Sequence, residues 1–194
     1  LRRQRQMCIE TDNEEYDFNY NVLQNLNPLL LRPYLDILFM DALVFNVDRH
    51  TQNYGLLRCR ETGEILSMAP NFDNNMALIS RGYASDLSKI ANPLIGQFQE
   101  LLQEKNIQYA VPTLTKKALG TIVNEIMPDA EIRRDYVVQF VWQNYERLAQ
   151  CKQEPNRQYT SMCAAGFFAL FVEPAVLHTY KRSTGAVSYT HLRA

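Results

Sequence analysis

The sequence predicts an α+β fold in which helices predominate, and three observations lead to this prediction. Apolar residues recur every three or four positions in several segments, the pattern of helices that bury one face. One pair of short strand-like segments, separated by a turn, interrupts the helical pattern. The chain has 194 residues, 46% of them hydrophobic, which is enough to form one substantial core.

The first informative helix is predicted to begin at Pro33, since proline is favoured in the first turn of a helix. Its apolar residues recur at intervals of three and four, namely Leu35, Leu38, Phe39, Ala42 and Phe45. We expect this helix to deliver the chain to Asn46 and to the polar loop that begins there.

A β-hairpin is predicted directly after this loop. Residues 54–59 and 64–69 both have the pattern of short, half-buried strands, and residues 60–63 between them form a turn that ends in glycine. Pairing the two segments across this turn places Asn53 beside Pro70, and directly opposed residues lie about 4.5–5.5 Å apart. A register shift of one residue would turn the side chains over but keep the two ends close.

Three polar side chains flank the predicted hairpin: Asp48 and Asn53 precede it, and Asp73 follows it. Phosphoryl transfer uses such a set, because one carboxylate orients the acceptor hydroxyl while an amide and a second carboxylate hold Mg²⁺ on the nucleotide phosphates. Since the hairpin brings its ends together, we expect Asn53 and Asp73 to share one ion, with Asp48 facing the same cleft. The order of helix, catalytic loop, hairpin and metal carboxylate is that of the large lobe of the protein-kinase-like fold.

The loop and the later acid resemble the motifs of one kinase family. Residues 48–53, Asp-Arg-His-Thr-Gln-Asn, are similar to the D-x-H-x-x-N catalytic loop of HipA-like serine/threonine kinases, and residues 68–73, Met-Ala-Pro-Asn-Phe-Asp, to their P-x-[YF]-D metal segment. The resemblance covers roughly residues 23–148, and its specific motifs lie within 45–73. It implies that Asp48 is the catalytic base, and that Asn53 and Asp73 bind Mg²⁺ and, through it, ATP, which donates phosphate to a Ser/Thr hydroxyl of a protein substrate.

The neighbouring residues bear on this assignment. The Asp-Arg-His-x-x-Asn string also occurs in phosphoinositide-kinase-like enzymes, but their metal segment reads Asp-Phe-Gly, whereas Asn74 and Asn75 follow the acid here. This difference favours the HipA-like assignment. His50 is a candidate catalytic residue that we expect to brace the loop by hydrogen bonding, in preference to contacting phosphate or substrate. Arg49 could pair with an acidic residue or lie in solvent, and it is assigned no function. Asn74 and Asn75 could support the metal ligands or be ordinary loop residues, and we expect the latter.

Three parts of the chain are distinguished. Residues 1–22 are expected to be the end of a small nucleotide-binding lobe that is missing from this sequence, because kinase chemistry needs a phosphate-covering glycine-rich loop and the first glycine is Gly55. Residues 23–150 form the predicted catalytic lobe, with helices at 93–104, at 116–127 and from the N-cap Asp129. Residues 151–194 form a tail; its last ten residues resemble translated sequencing-adaptor read-through, so they are expected to be non-native and are left out of the fold prediction.

Composition limits the other classes of function. The net charge of −1 and the lack of a basic stripe predict no direct binding to nucleic acid. The four cysteines have neither zinc-site nor disulfide-framework spacing. The apolar run at 164–172 is shorter than the roughly 20 residues of a membrane span, so a cytoplasmic location is expected.

Two functions from different classes remain open. The first is an ATP- and Mg²⁺-dependent kinase lobe that is expected to be inactive without its small lobe. The second is a non-catalytic interaction module with the shape of a kinase lobe, which binds an antitoxin-type DNA-binding protein. Retention of Asp48, Asn53 and Asp73 together favours the first, because a lobe without catalysis has no chemical reason to keep all three.

Overall fold

The structure, a computed structural model, describes residues 13–150 and 187–191. Its helices and strands are, in order, α1 (Asn13–Leu26), α2 (Leu31–Val44), β1 (Gly55–Cys59), β2 (Ile65–Met68), α3 (Pro93–Glu104), α4 (Lys116–Ile126), α5 (Arg134–Ala149) and β3 (Val187–His191). Short 3-10 turns lie between several of them. The described part of the chain is therefore mixed helix and sheet and mostly helical, as predicted.

Helix α2 lies at the centre of the core. Ten of its fourteen residues are buried, and it packs against α1, α3 and α5. It begins two residues before Pro33, which the helix accommodates because N–H groups in the first turn have no partner within the helix. The cap residue Phe45 has a left-handed backbone with φ 59°, and this turns the chain toward the loop at 46–53. The predicted apolar positions are buried or packed against the core: Leu35, Leu38, Phe39, Ala42 and Phe45.

Helix α1 joins the same core. Its residues Tyr16, Tyr20 and Leu23 are buried, and the helix packs against α2 and α3. An ion pair between Lys105, at the end of α3, and Asp17 adds a polar link between these helices. The domain boundary predicted between residues 22 and 23 therefore falls inside a helix whose two halves share one core.

The helices predicted at 93–104 and 116–127 are confirmed, with α4 ending one residue earlier than predicted. Thr115 caps α4, because its hydroxyl accepts the N–H of Ala118 at 3.1 Å. The buried residues of α3 are Leu94, Ile95, Phe98, Leu101 and Leu102, and those of α4 are Leu119 and Val123. No helix in the described ranges is long and apolar enough to cross a membrane.

The predicted start of the last helix was wrong, because α5 begins at Arg134 and not directly after Asp129. The Asp129 carboxylate instead accepts the N–H of Glu131 at 2.9 Å, which closes a local turn. The guanidinium of Arg134 donates to the carbonyls of Met127 and Pro128, both at 2.7 Å. These bonds hold the preceding segment in a non-helical path. The predicted apolar residues within the helix are buried, namely Tyr136, Val137, Phe140, Val141 and Leu148, while Tyr145 is half-buried.

Strands β1 and β2 form the predicted antiparallel hairpin, with an irregular register. Next to the turn, Arg58 lies opposite Ile65 as predicted. A β-bulge between Leu57 and Arg58 then shifts the pairing by one residue, so that Leu56 lies opposite Met68. The predicted pairing is therefore correct at the turn and displaced by one residue at the open end.

This displacement matters at the open end of the hairpin, where the candidate site lies. The N–H of Ala69 donates to the carbonyl of Gly55 at 2.7 Å, which continues the shifted register. The expectation that Asn53 lies beside Pro70 assumed the unshifted register, which does not hold at this end of the hairpin. The two ends of the hairpin nevertheless remain neighbours, as expected for a slip of this size.

A third strand completes the sheet in the order β2-β1-β3. Strand β3 pairs antiparallel with β1, with His191 opposite Gly55 and Val187 opposite Cys59. These residues belong to the last ten, which the sequence prediction left out of the fold, so the sheet has one strand more than predicted. The rest of the predicted tail, like residues 1–12, lies outside the described residues.

Candidate functional site

The loop between α2 and β1, residues 46–53, carries three of the four predicted site residues. The side-chain nitrogen Nδ2 of Asn53 donates to the backbone oxygen of Asp48 at 2.9 Å, and the N–H of Asn53 donates to the carbonyl of His50 at 2.8 Å. These two bonds close the loop, which ends in a 3-10 turn at Thr51–Asn53. Because Nδ2 is engaged, the amide oxygen of Asn53 is the atom left to bind a cation.

The four predicted residues differ in exposure. Asn53 is buried, Asp48 is half-buried, and His50 and Asp73 are exposed. In the described part of the chain, the bond that ties the loop to His50 is accepted by its backbone carbonyl. Bracing of the loop by the His50 side chain stays a prediction.

Asp73 lies on the segment that follows β2. Its backbone is left-handed, with φ 59°, a conformation that aspartate adopts more readily than most residues. Its carboxylate oxygen Oδ1 accepts Nδ2 of Asn75 at 2.7 Å. Asn75 therefore contacts a predicted metal ligand directly, where we had expected an ordinary loop residue.

A buried arginine joins the loop to this second segment. The Nη1 atom of Arg49 donates to the backbone oxygens of Asn53, at 3.0 Å, and Phe72, at 2.8 Å. Because both oxygens bind one nitrogen atom, they lie within two hydrogen-bond lengths of each other. The structure thus brings together the segments that carry Asn53 and Asp73, through a contact that the sequence did not predict.

The other terminal nitrogen of Arg49, Nη2, binds side chains of the second segment. It donates to Oδ1 of Asn71 at 2.5 Å and to Oδ1 of Asn74 at 2.8 Å. The same oxygen of Asn74 accepts Nδ2 of Asn46 at 3.2 Å. Asn74 therefore links the second segment to two residues of the loop, and the expectation of an ordinary loop residue was wrong.

Asp41, in the last turn of α2, holds the guanidinium in place. Arg49 Nε donates to Oδ2 of Asp41 at 2.7 Å and Nη2 donates to Oδ1 at 2.8 Å, while Nδ2 of Asn46 donates to Oδ1 at 2.9 Å. Both members of the ion pair have no solvent-exposed side-chain surface. Bidentate, charge-assisted bonds of this kind are among the stronger hydrogen bonds in proteins. Neither residue was a candidate in the sequence analysis.

The electrostatics of this pair follow from its burial. Burial raises the pKa of the Asp41 carboxyl above its ordinary value, although hydrogen bonding and the charge of Arg49 act in the opposite direction. Burial also lowers the pKa of the Arg49 guanidinium, but the hydrogen bonds and charge of Asp41 outweigh this effect and leave the pKa above its usual value. The guanidinium is therefore a permanently charged group beneath the candidate site.

The buried end of α2 is fixed by two asparagines from distant segments. Nδ2 of Asn92 donates to the carbonyl of Ala42 at 2.7 Å, and Nδ2 of Asn144 donates to the carbonyl of Leu43 at 3.0 Å. Carbonyls in the last turn of a helix lack partners within the helix, and both asparagines are buried. The helix end that carries Asp41 is thereby held from two sides.

The oxygen atoms at the site suit Mg²⁺ bound together with a nucleotide. Among the described residues, no group of three or more His, Cys, Asp or Glu side chains could hold a metal ion. Mg²⁺ in phosphoryl-transfer sites is usually bound by one or two carboxylates together with substrate phosphates and water. The carboxylate of Asp73 and the amide oxygen of Asn53 fit this shared mode of binding.

Comparisons with protein-family models, with curated proteins and with solved structures found no match to this chain. A functional assignment therefore depends on the motifs and on the geometry described above.

Proposed function

We propose that the chain contains the catalytic lobe of a HipA-like serine/threonine kinase, which transfers phosphate from ATP to a protein hydroxyl with the aid of Mg²⁺. One observation carries this proposal. The guanidinium of Arg49 binds the backbone at Asn53 and at Phe72, and so holds the two segments with kinase-like motifs side by side. Motifs on separate surfaces could not form a common site.

Asp48 is the residue proposed to act on the acceptor hydroxyl. It is half-buried, and its backbone oxygen is the acceptor that fixes the amide of Asn53. A carboxylate within hydrogen-bond reach orients the hydroxyl toward the phosphoryl group and accepts its proton as the new bond forms. The closed loop fixes the backbone of Asp48 relative to Asn53.

Asn53 and Asp73 are the residues proposed to hold Mg²⁺ and, through it, the nucleotide. Asn53 offers an amide oxygen whose orientation is set from within the loop, and Asp73 offers an exposed carboxylate. When bound, Mg²⁺ and ATP supply the phosphoryl group and offset the negative charge on its oxygens. Asp41 balances the buried charge of Arg49. The carboxylate of Asp73 is therefore not needed to neutralise that charge and is available to bind the cation.

The alternative is a non-catalytic module of the same shape that binds an antitoxin-type DNA-binding protein. One observation favours it, because the Asp73 carboxylate already accepts a hydrogen bond from Asn75. An acid whose function is to close a surface turn would show the same contact. The two proposals differ in whether the site binds a divalent cation.

Paramagnetic Mn²⁺, which replaces Mg²⁺ at oxygen sites, tests this difference on the 194-residue chain. We expect substoichiometric Mn²⁺ to broaden the backbone NMR signals of Asn53 and Asp73 before those of other residues. Asp73→Asn should abolish the effect, whereas Glu61→Gln, at an exposed acid in the hairpin turn, should preserve it. Broadening spread evenly over surface acids would contradict the metal site and support the non-catalytic module.

A further inference from the structure

We infer that Arg49 is a positioning residue for the proposed reaction, which sets the separation of Asn53 and Asp73 and thereby decides whether they can share one ion. The inference rests on the proposed function. Arg49 itself is fully buried, so any effect on the reaction must pass through the two segments that it binds.

The contacts on the second segment surround Asp73. Asn71 and Asn74 accept bonds from Nη2 through their side chains, and Phe72 accepts a bond from Nη1 through its backbone. The side-chain bond of Asp73 is local, to Asn75. The position of Asp73 relative to the loop is therefore fixed on both sides by bonds to one guanidinium.

The contacts on the loop complete the bridge. Nη1 of Arg49 binds the backbone oxygen of Asn53, and the amide of Asn53 binds the backbone oxygen of Asp48. A shift of the guanidinium would therefore move Asn53 away from the second segment while leaving the internal bonds of the loop intact. This predicts separation of the two metal ligands without unfolding of the loop.

The chemistry requires arginine in particular. A guanidinium is planar and carries five N–H donors that point in several fixed directions, whereas an ammonium is a compact charge with three. Lysine at this position could pair with Asp41 but could not bind Asp41, the Asn53 carbonyl and the Phe72 carbonyl with the same geometry. Arg49→Lys therefore keeps the charge and removes the bridge.

Folding alone does not explain such a residue. Two apolar side chains of similar volume often stabilise a core as well as a buried ion pair does. What an apolar pair cannot supply is directed hydrogen bonds to two loops at once. Arg49 therefore sets the relative position of the two segments that it binds, and this position can be measured separately from stability.

The test uses Mn²⁺ and the full 194-residue chain with the substitution Arg49→Lys. We expect Mn²⁺ to broaden Asn53 less, relative to Asp73, than in the parent chain, with about 10-fold weaker Mn²⁺ affinity, the loss typical when groups that orient metal ligands are removed. A changed ratio of broadening between the two ligands is a signature that general unfolding would not produce. Arg60→Lys, at an exposed position in the hairpin turn, is the matched control and should behave as the parent chain.

A second variant keeps the inference testable if Arg49→Lys does not fold. Asn74→Ala removes one acceptor from a half-buried loop position and leaves Arg49 paired with Asp41, so the fold should persist. We expect a smaller loss of Mn²⁺ affinity than in Arg49→Lys, because the bonds from Nη1 to Asn53 and Phe72 remain, and Asn124→Ala on the exposed face of α4 is the control. Thermal unfolding of every variant shows whether Arg49→Lys and Asn74→Ala are folded and can be compared with the parent chain.

The outcomes separate the inference from the proposed function. If Mn²⁺ broadens neither Asn53 nor Asp73 in the parent chain, the proposed function fails and the inference fails with it. If the parent chain binds Mn²⁺ at both residues and a folded Arg49→Lys or Asn74→Ala variant does the same with equal affinity, only the inference is overturned.

Discussion

Asp41 and Arg49, which lie eight positions apart in the chain, form a bidentate ion pair in which both side chains are excluded from solvent. Removing two charges from water costs free energy that their mutual attraction offsets only when the geometry is good. Here two bonds at 2.7 and 2.8 Å join the pair, and carbonyl and amide oxygens accept the remaining donors of Arg49. The pair therefore fixes the positions of both parts of the candidate site, the loop at 46–53 and the segment that follows β2.

Breaking this pair from one side should destabilise the fold strongly. Asp41→Leu leaves a buried guanidinium without its counter-charge, so we expect the free energy of unfolding to fall by about 3–5 kcal/mol. The double substitution Asp41→Leu with Arg49→Met should recover most of that loss, because no buried charge remains. Urea denaturation of the parent, both single variants and the double variant measures the coupling. A double variant whose loss equals the sum of the single losses would contradict this prediction.

The Asp41–Arg49 pair also shows what the sequence does and does not predict. Asp41 is the only charged residue in the apolar run 37–45, and a charge on a buried helix needs a partner. The sequence alone therefore indicates that Asp41 needs a buried partner. The partner itself could not be inferred, because Arg49 reaches Asp41 only through a turn that begins at the left-handed residue Phe45.

Periodic segments were predicted better than their ends. The apolar spacing in α3 and α4 is local information, and both helices were placed to within one residue. The start of α5 depends on how Arg134 binds carbonyls of the preceding segment, which is tertiary information. The bulge at Leu57 likewise depends on tertiary information. The predicted proximity of the two hairpin ends is unaffected by this error, because a slip of one residue leaves the ends adjacent.

The cap that Asn144 places on α2 makes a sharp stability prediction. Asn144→Asp keeps the shape of the side chain but replaces the N–H donor by an acidic oxygen next to the carbonyl of Leu43. We expect a loss of about 1–3 kcal/mol in the free energy of unfolding from the unpaired carbonyl. The negative charge at a helix C-terminus adds to the loss. Gln139→Glu adds the same charge at an exposed position of α5 and should change stability much less.

Buried tyrosines make the stability of the fold sensitive to alkali. Burial raises the pKa of Tyr34, Tyr54 and Tyr109 well above the ordinary value of 10.0. Above pH 10 the unfolded chain loses these protons while the folded chain keeps them, so stability is fully present below pH 10 and declines as pH rises. Each such tyrosine contributes a slope of up to about 1.4 kcal/mol per pH unit.

Urea denaturation between pH 9 and 11, followed together with phenolate absorbance, checks this prediction. The free energy of unfolding should fall across that range, and absorbance from the buried tyrosines should rise only as the chain unfolds. Ionisation of all tyrosines near pH 10 in a chain that remains folded would show that burial does not shift these groups.

Separate roles for Asp48 and Asp73 predict different defects in phosphoryl transfer. Phosphoryl transfer also needs a lobe that covers the nucleotide phosphates. With a nucleotide-covering lobe supplied in the same polypeptide, we expect transfer to a Ser/Thr hydroxyl. Asp48→Asn should then lower kcat by about 10²–10⁴-fold while largely sparing nucleotide affinity, because this carboxylate is proposed to act on the acceptor.

Asp73→Asn should in addition weaken Mg²⁺-dependent ATP binding, because it removes a negative charge from a proposed metal ligand. Its defect should therefore shrink at high Mg²⁺ concentration, whereas the defect of Asp48→Asn should not. Steady-state kinetics at several Mg²⁺ concentrations, together with nucleotide binding by calorimetry, distinguish the two, with Glu61→Gln as the control acid. Full transfer activity after Asp48→Asn would remove Asp48 from the role of base, and the half-buried carboxylate would then serve only the structure of the loop.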